Sequence, residues 1–299
     1  MGVFLLSVVL TILITLLVLF YFFKIKKSKQ TVKENFKFNI IKQLTNTYCS
    51  ENIPVFFYKT ESDVSTYFQD TRGKYVYWDN RYGNIKSKSF CVNNIKTHNT
   101  FMDLFNPSTV SFGGPQSTLV VKPRRTVFPW SQGNSFMLQL NKQMINFTVK
   151  NGTPSGNICF NMFVSNVKTN ERINILSNLI TFGYAWTEEQ KDILYDPSTN
   201  TKFISTNVSS GNKWSTSDGY GNNLKIIKNN INDTNREFFR TIFSNKNFLN
   251  ILKESKFDLD LNNWKLDFVA VQTEIEEDSG LCKLEFEFSD FSTFIIKEI

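Results

Sequence analysis

FMLQLNKQMINFTVKNGTPSGNICFNMFV, residues 136–164, alternates apolar and polar side chains over most of its length. Phe136, Leu138 and Leu140 share one face of an extended chain. Ile145, Phe147 and Val149 share a face of the next strand, and Ile158, Phe160, Met162 and Val164 continue the pattern beyond a turn. A period of two marks a half-buried strand, because successive side chains point to opposite sides of the pleat. Asn151-Gly152 suits the left-handed positions of a tight hairpin turn, with Pro154 and Gly156 lengthening the loop.

The same texture extends outward in both directions. Val55–Tyr58, Lys74–Trp78, Ser117–Val121, Ile173–Tyr184 and Lys202–Thr206 read as strands between Gly, Asn, Asp and Pro clusters. Near the end, Trp264, Leu266, Phe268 and Ala270 alternate on one strand, and Leu284, Phe286 and Phe288 on another. A turn at Asp278-Ser279-Gly280 predicts that these two form a hairpin. Two segments read as helical. Glu34–Leu44 places Phe36, Ile40 and Leu44 four apart. Thr234-Asn-Arg-Glu237 has capping-box spacing ahead of Phe238, Phe239, Ile242 and Phe243. Many short strands with little helix predict a mainly β chain, an antiparallel β-sandwich or jelly roll with one docked helical segment.

The N-terminus has a different character. Val3–Phe23 carries no charge, no Gly and no Pro, and its length of about 31 Å as a helix matches the hydrocarbon core of a bilayer. The run is longer than a signal-peptide core and ends in bulky Phe20–Phe23, so an uncleaved single-pass anchor is expected. Behind it, residues 24–45 hold seven lysines against Glu34 alone, a net +6 of the chain's formal +7. Lys24, Lys26, Lys27 and Lys29 suit an anionic lipid surface. The remaining chain is near neutral, which excludes the continuous basic stripe of a nucleic-acid binder. The expected organisation is an anchor over 1–23, a basic juxtamembrane segment over 24–45 and a β-sandwich over 46–299. Lysines flanking the anchor place the C-terminal domain on the cytosolic or nucleoplasmic side. There Cys49, Cys91, Cys159 and Cys282 are expected as thiols. Sequons at Asn146, Asn151, Asn207 and Asn232 point the other way.

Candidate chemistry is sparse. His98 is the sole histidine and sits in a polar stretch that reads as a solvated loop. No nucleotide-binding glycine motif and no clustered Cys/His set for a metal occurs, so no cofactor is expected. Glycoside hydrolysis needs no histidine but two carboxylates a few ångströms apart. Glu274 with Glu276, and Glu285 with Glu287, stand two apart on strands and share a face, though wet strand faces look the same. Glu188, Glu189 and Asp192 read as a helix start or charged loop, and Lys122, Arg124 and Arg125 as a basic turn. Trp130, Trp186, Trp214, Tyr220 and Trp264 are the aromatic candidates for stacking on sugar rings; Trp214 and Tyr220 lie in the loop GNKWSTSDGYGN.

In layout, the apolar Val3–Phe23, the lysines behind it and the β-rich remainder resemble the anchored envelope proteins of large DNA viruses of insects and crustaceans. The resemblance implies a virion-envelope or inner-nuclear-membrane location and partners in the bilayer. The leading expectation is therefore a membrane-anchored, non-enzymatic β-sandwich working by contacts with a protein partner. The alternative is a tethered carbohydrate-binding or glycan-cleaving domain.

Overall fold

The computed structural model describes residues 38–45, 55–58, 67–69, 76–77, 83–105, 116–123, 125–183, 193–196, 201–207, 225–227, 229–276 and 280–299. The chain divides into residues 1–35 and 36–299, and every described residue belongs to the second unit. The expected span at Val3–Phe23 and the lysines at 24, 26, 27 and 29 lie outside the described residues. Among those residues no helix is long and apolar enough to cross a membrane. The described fold is a pair of β-sheets with one helix, and it contains nothing of the expected single-pass arrangement.

In chain order the strands are β1 (Phe38–Thr45), β2 (Val55–Tyr58), β3 (Tyr67–Gln69), β4 (Val76–Tyr77), β5 (Gly83–Val92), β6 (Ile95–Leu104) and β7 (Gln116–Val121). They continue with β8 (Ser135–Gly152), β9 (Ser155–Asn166), β10 (Arg172–Phe182), β11 (Leu194–Asp196), β12 (Thr201–Asn207) and β13 (Lys225–Ile227). Last come β14 (Ile231–Asp233), β15 (Glu237–Phe243), helix α1 (Asn245–Ser255), β16 (Trp264–Glu276) and β17 (Gly280–Glu298). Sheet 1 runs β14-β8-β17-β6-β5-β4, with β1 on β17 and β15 on β8. Sheet 2 runs β11-β12-β10-β9-β16-β7-β2-β3, with β13 on β10. Pairing is antiparallel, as expected, except that β10 meets β12 and β13 in parallel.

The inner faces of the two sheets share one apolar core. Phe147 of sheet 1 stacks on Phe182 of sheet 2 at 4.9 Å, and Phe160 of sheet 2 on Phe291 of sheet 1 at 5.8 Å. Each such ring, fully buried, contributes about 1.5–3 kcal/mol. The shift in pattern between Leu140 and Ile145 has a physical cause. β8 is a single strand, and its register against β17 slips at Gln143, where Met144 pairs Glu287 but Lys142 pairs Phe288. One extra residue in the ladder is a β-bulge, and it returns the apolar side chains to the core after the change of parity.

Both expected hairpins are corrected. β8 lies in sheet 1 and β9 in sheet 2; likewise β16 lies in sheet 2 and β17 in sheet 1. Asn151-Gly152 is a corner by which the backbone changes sheets, with Gly152 in the left-handed region at φ 64°. Period two fixes which side chains face inward but not which strand lies alongside.

The expected helices change as well. Phe38–Thr45 is a strand on the C-terminal half of β17, not part of a helix. Glu237–Phe243 is also a strand, because Phe239, Thr241 and Phe243 stand opposite Leu140, Leu138 and Phe136 of β8. Glu237, the expected capping carboxylate, is bound instead by Lys142 at 3.4 Å and Lys225 at 2.9 Å. Lys142 is fully buried and also reaches Asp233 at 2.8 Å. Its hydrogen bond, with that of Lys225, holds the Asp233 carboxyl well below the usual range. The helix starts only after Ser244, whose hydroxyl accepts the Asn247 N–H at 3.0 Å. It buries Phe248, Ile251 and Leu252 and ends at Lys256 in the left-handed conformation.

The cysteines divide. Cys159 and Cys282 are buried and not disulfide-bonded, and burial pushes the Cys282 thiol up to about 12. Cys91 is disulfide-bonded, which corrects the expectation of thiols throughout.

Candidate functional site

On β9 the core takes Ile158, Phe160, Met162 and Val164. The intervening residues therefore line the face of sheet 2 turned away from sheet 1. Direct register carries this face across the sheet. Asn157, Cys159, Asn161 and Phe163 stand opposite Glu274, Gln272, Ala270 and Phe268 of β16. Gln116 and Thr118 of β7 extend the first two rows, while Thr181 and Asn174 of β10 stand opposite Asn157 and Phe163. The apolar end is a small cluster of its own, in which Val120, Phe268 and Ala270 pack with Phe163. The Phe163 and Phe268 rings lie 4.1 Å apart.

The other end is polar and withdrawn from solvent; Glu274 and Gln272 are each 4% exposed and Asn157 not at all. Its amide donors converge on one carboxylate. Asn161 Nδ2 donates to Gln272 Oε1 at 2.7 Å, and Gln272 Nε2 donates to Glu274 Oε2 at 2.9 Å. Asn157 Nδ2 approaches the same oxygen at 3.5 Å. With the N–H groups so committed, oxygens are left over. Asn157 Oδ1, Asn161 Oδ1, Asn174 Oδ1 and Thr181 Oγ1 are buried without a hydrogen-bond partner. Leaving one buried polar group unpaired costs about 1–3 kcal/mol, so four on one face of a sheet require an explanation.

Their spacing excludes a single ion. Positions 157 and 161 are about 13 Å apart along the strand, and the whole row from 157 to 163 covers about 20 Å. Among the described residues no group of three or more His, Cys, Asp or Glu side chains is placed to hold a metal. Asp267, near Ser165 at the far end, lies about 23 Å from Glu274 by strand rise. It is paired with Lys265 at 3.2 Å. That separation is too great for the two carboxylates to act together on one bond.

The expected site residues fare unevenly. Trp130 is fully buried; it stacks on Phe248 at 3.6 Å and donates Nε1–H to the Phe243 carbonyl at 3.0 Å. It belongs to the core under α1, not to a binding surface. Trp186, Trp214, Tyr220, Glu188, Glu189, Asp192 and Arg124, and the side chain of Glu276, lie outside the described residues. Glu285 and Glu287 project from the outer face of sheet 1, where Asn99 Nδ2 donates to Glu285 Oε1 at 2.9 Å. Burial raises the Glu287 carboxyl; the hydrogen bond from Asn99 opposes this and the charge of Glu285 adds to it. His98 is a core residue of β6, not a loop residue. Its Nδ1 lies 2.6 Å from Ser89 Oγ and its ring 5.1 Å from that of Phe288. Burial first, then nearby Lys96, lowers its pKa to about 3, so the imidazole is neutral.

Of the polar face, only Glu274 is singled out by sequence reasoning. Asn157 and Asn161 alternate with apolar residues as any wet strand face does. The signal that separates them is the use of amides in place of charges at successive outward positions of two adjacent strands.

No family model matches the chain, and no curated protein does. Solved structures are similar in fold. Endoglucanase 3 of Trichoderma harzianum, of glycoside hydrolase family 12, shares 10% identity, with 88% of this chain and 98% of that one covered and a TM-score of 0.39. A cellulase derived from the Cel12A enzyme of Rhodothermus marinus shares 11%, covering 71% and 86% at 0.37. The xyloglucanase domain of a type three effector from Sinorhizobium fredii, solved with cellobiose, shares 14%, covering 75% and 91% at 0.36. Identities and scores this low concern the fold only. The structures named are glycoside hydrolases, where the expectation was a non-enzymatic, contact-only envelope protein.

Proposed function

We propose that this chain is a carbohydrate-active domain that holds an extended glycan along the outer face of sheet 2. The observation that carries the reading is the set of four unpartnered oxygens on that face. An array of amide oxygens, a hydroxyl and a carboxylate asks for a ligand rich in hydrogen-bond donors, as the hydroxyls of a sugar chain are. The Phe163–Phe268 pair supplies the apolar surface for the C–H faces of the rings. Phosphate or sulfate groups, acceptors themselves, have nothing to gain from such a row.

Glu274 is the carboxylate on which the polar ladder closes. Cleavage requires it to work with a second carboxyl group about 5–9 Å away. The test is an oligosaccharide array with the full chain, followed by assay of released reducing ends on each glycan that binds. Binding weakened tenfold or more in Glu274→Gln and Asn161→Ala supports the reading. Release of reducing ends, lost in Glu274→Gln, makes the domain a hydrolase. No binding to any glycan, or binding indifferent to both substitutions, overturns it.

A further inference from the structure

We infer that this domain matures in an oxidising, glycosylating compartment and carries N-linked glycans at Asn232 and Asn151. Two independent observations meet here. The first is the disulfide at Cys91, a residue at the exposed end of β5. Disulfides persist in secretory and extracellular compartments, whereas an exposed one is open to reduction by cytosolic thiols.

The second is where the fold puts the acceptor sequences. Asn232-Asp-Thr lies on β14, and Asn146-Phe-Thr and Asn151-Gly-Thr lie on β8. Asn232 and Thr234 are exposed, while strand alternation sends the intervening Asp233 to Lys142 and Lys225. Asn151 is exposed at the corner leaving β8. Its Oδ1 accepts the Leu281 N–H at 2.9 Å, which leaves Nδ2, the atom that would bear a sugar, pointing away from that bond. Asn146 differs. It is half-buried, its Oδ1 faces Thr148 Oγ1 at 3.5 Å, and it stands directly opposite Asn232 in the β14–β8 register. Side chains so paired are about 5 Å apart, so two branched glycans cannot occupy both positions. The folded domain accommodates sugars at Asn232 and Asn151 and not at Asn146.

The test is the full chain expressed in a eukaryotic cell, digested with an endoglycosidase and compared by gel mobility and intact mass. Two glycan steps are expected in an Asn207→Gln background, which removes the remaining sequon. Asn232→Gln and Thr234→Ala should each remove the same step, Asn151→Gln should remove the other, and Asn146→Gln should change nothing. In parallel, a maleimide applied to the denatured, unreduced protein should leave Cys91 unlabelled. A single step or none, a step lost with Asn146→Gln, or a Cys91 that labels without reductant overturns the inference.

Discussion

Gln272 Nε2 donates to Glu274 Oε2 at 2.9 Å, and the amide of Asn161 donates in turn to Gln272 Oε1 at 2.7 Å. The chain of donors runs in one direction, toward the carboxylate. The oxygens of Asn157 and Asn161 are what remains for a ligand. A structural polar network would close on itself; this one ends in acceptors.

Such a row should lower stability in favour of function. Thr181 is 1% exposed with an unpartnered hydroxyl, and Val has nearly its shape. Thr181→Val should therefore raise the unfolding free energy by about 1 kcal/mol while weakening glycan binding. Urea denaturation and a binding titration on the same preparation check both halves.

Gly156 of β9 stands between Ile275 of β16 and Phe182 of β10 in sheet 2. A Cβ there would overlap the Glu274 carbonyl oxygen and the Phe182 ring. Gly156→Ala should force the strands apart at the polar end of the row and cost about 1–3 kcal/mol. A shift in the urea midpoint, together with reduced glycan binding, is the expected result.

Trp130 is the counter-example among the aromatic candidates. Trp130→Phe removes the hydrogen bond to the Phe243 carbonyl and part of the stack on Phe248. It should lower stability by about 1–3 kcal/mol and leave glycan affinity unchanged. A loss of affinity in a variant shown to be fully folded would return Trp130 to the binding surface.

His98 gives a pH signature. Its folded-state pKa is about 3, below the ordinary value of 6.5, so below 6.5 the unfolded chain takes up a proton that the folded one refuses. The contribution is fully present above pH 6.5 and is lost as pH falls from there toward 3. His98→Gln should flatten the fall in stability over that interval, measured by urea midpoints at successive pH values.

Much of the fold is legible in the chain. The alternation over 136–164 and 264–288 gives the strands and their inward side chains, because face and parity are local properties. Which sheet a strand joins is not local: β8 with β9, and β16 with β17, look like hairpins yet cross between sheets. Phe238, Phe239, Ile242 and Phe243 fit both a helix and a strand, and pairing with β8 decides between them. The polar face was least legible. Asn157, Asn161 and Gln272 alternate with apolar neighbours as residues of any wet strand face do, yet they are buried. His98 shows the same thing, since its neighbours in sequence are polar and it is nonetheless buried.

Amide hydrogen exchange of the full chain, with and without an oligosaccharide that it binds, tests the central claim most directly. Protection should appear on β9 around 157–161 and on β16 around 272–274, and should be absent in Glu274→Gln. Protection confined to the outer face of sheet 1, around Asn99, Glu285 and Glu287, would contradict it.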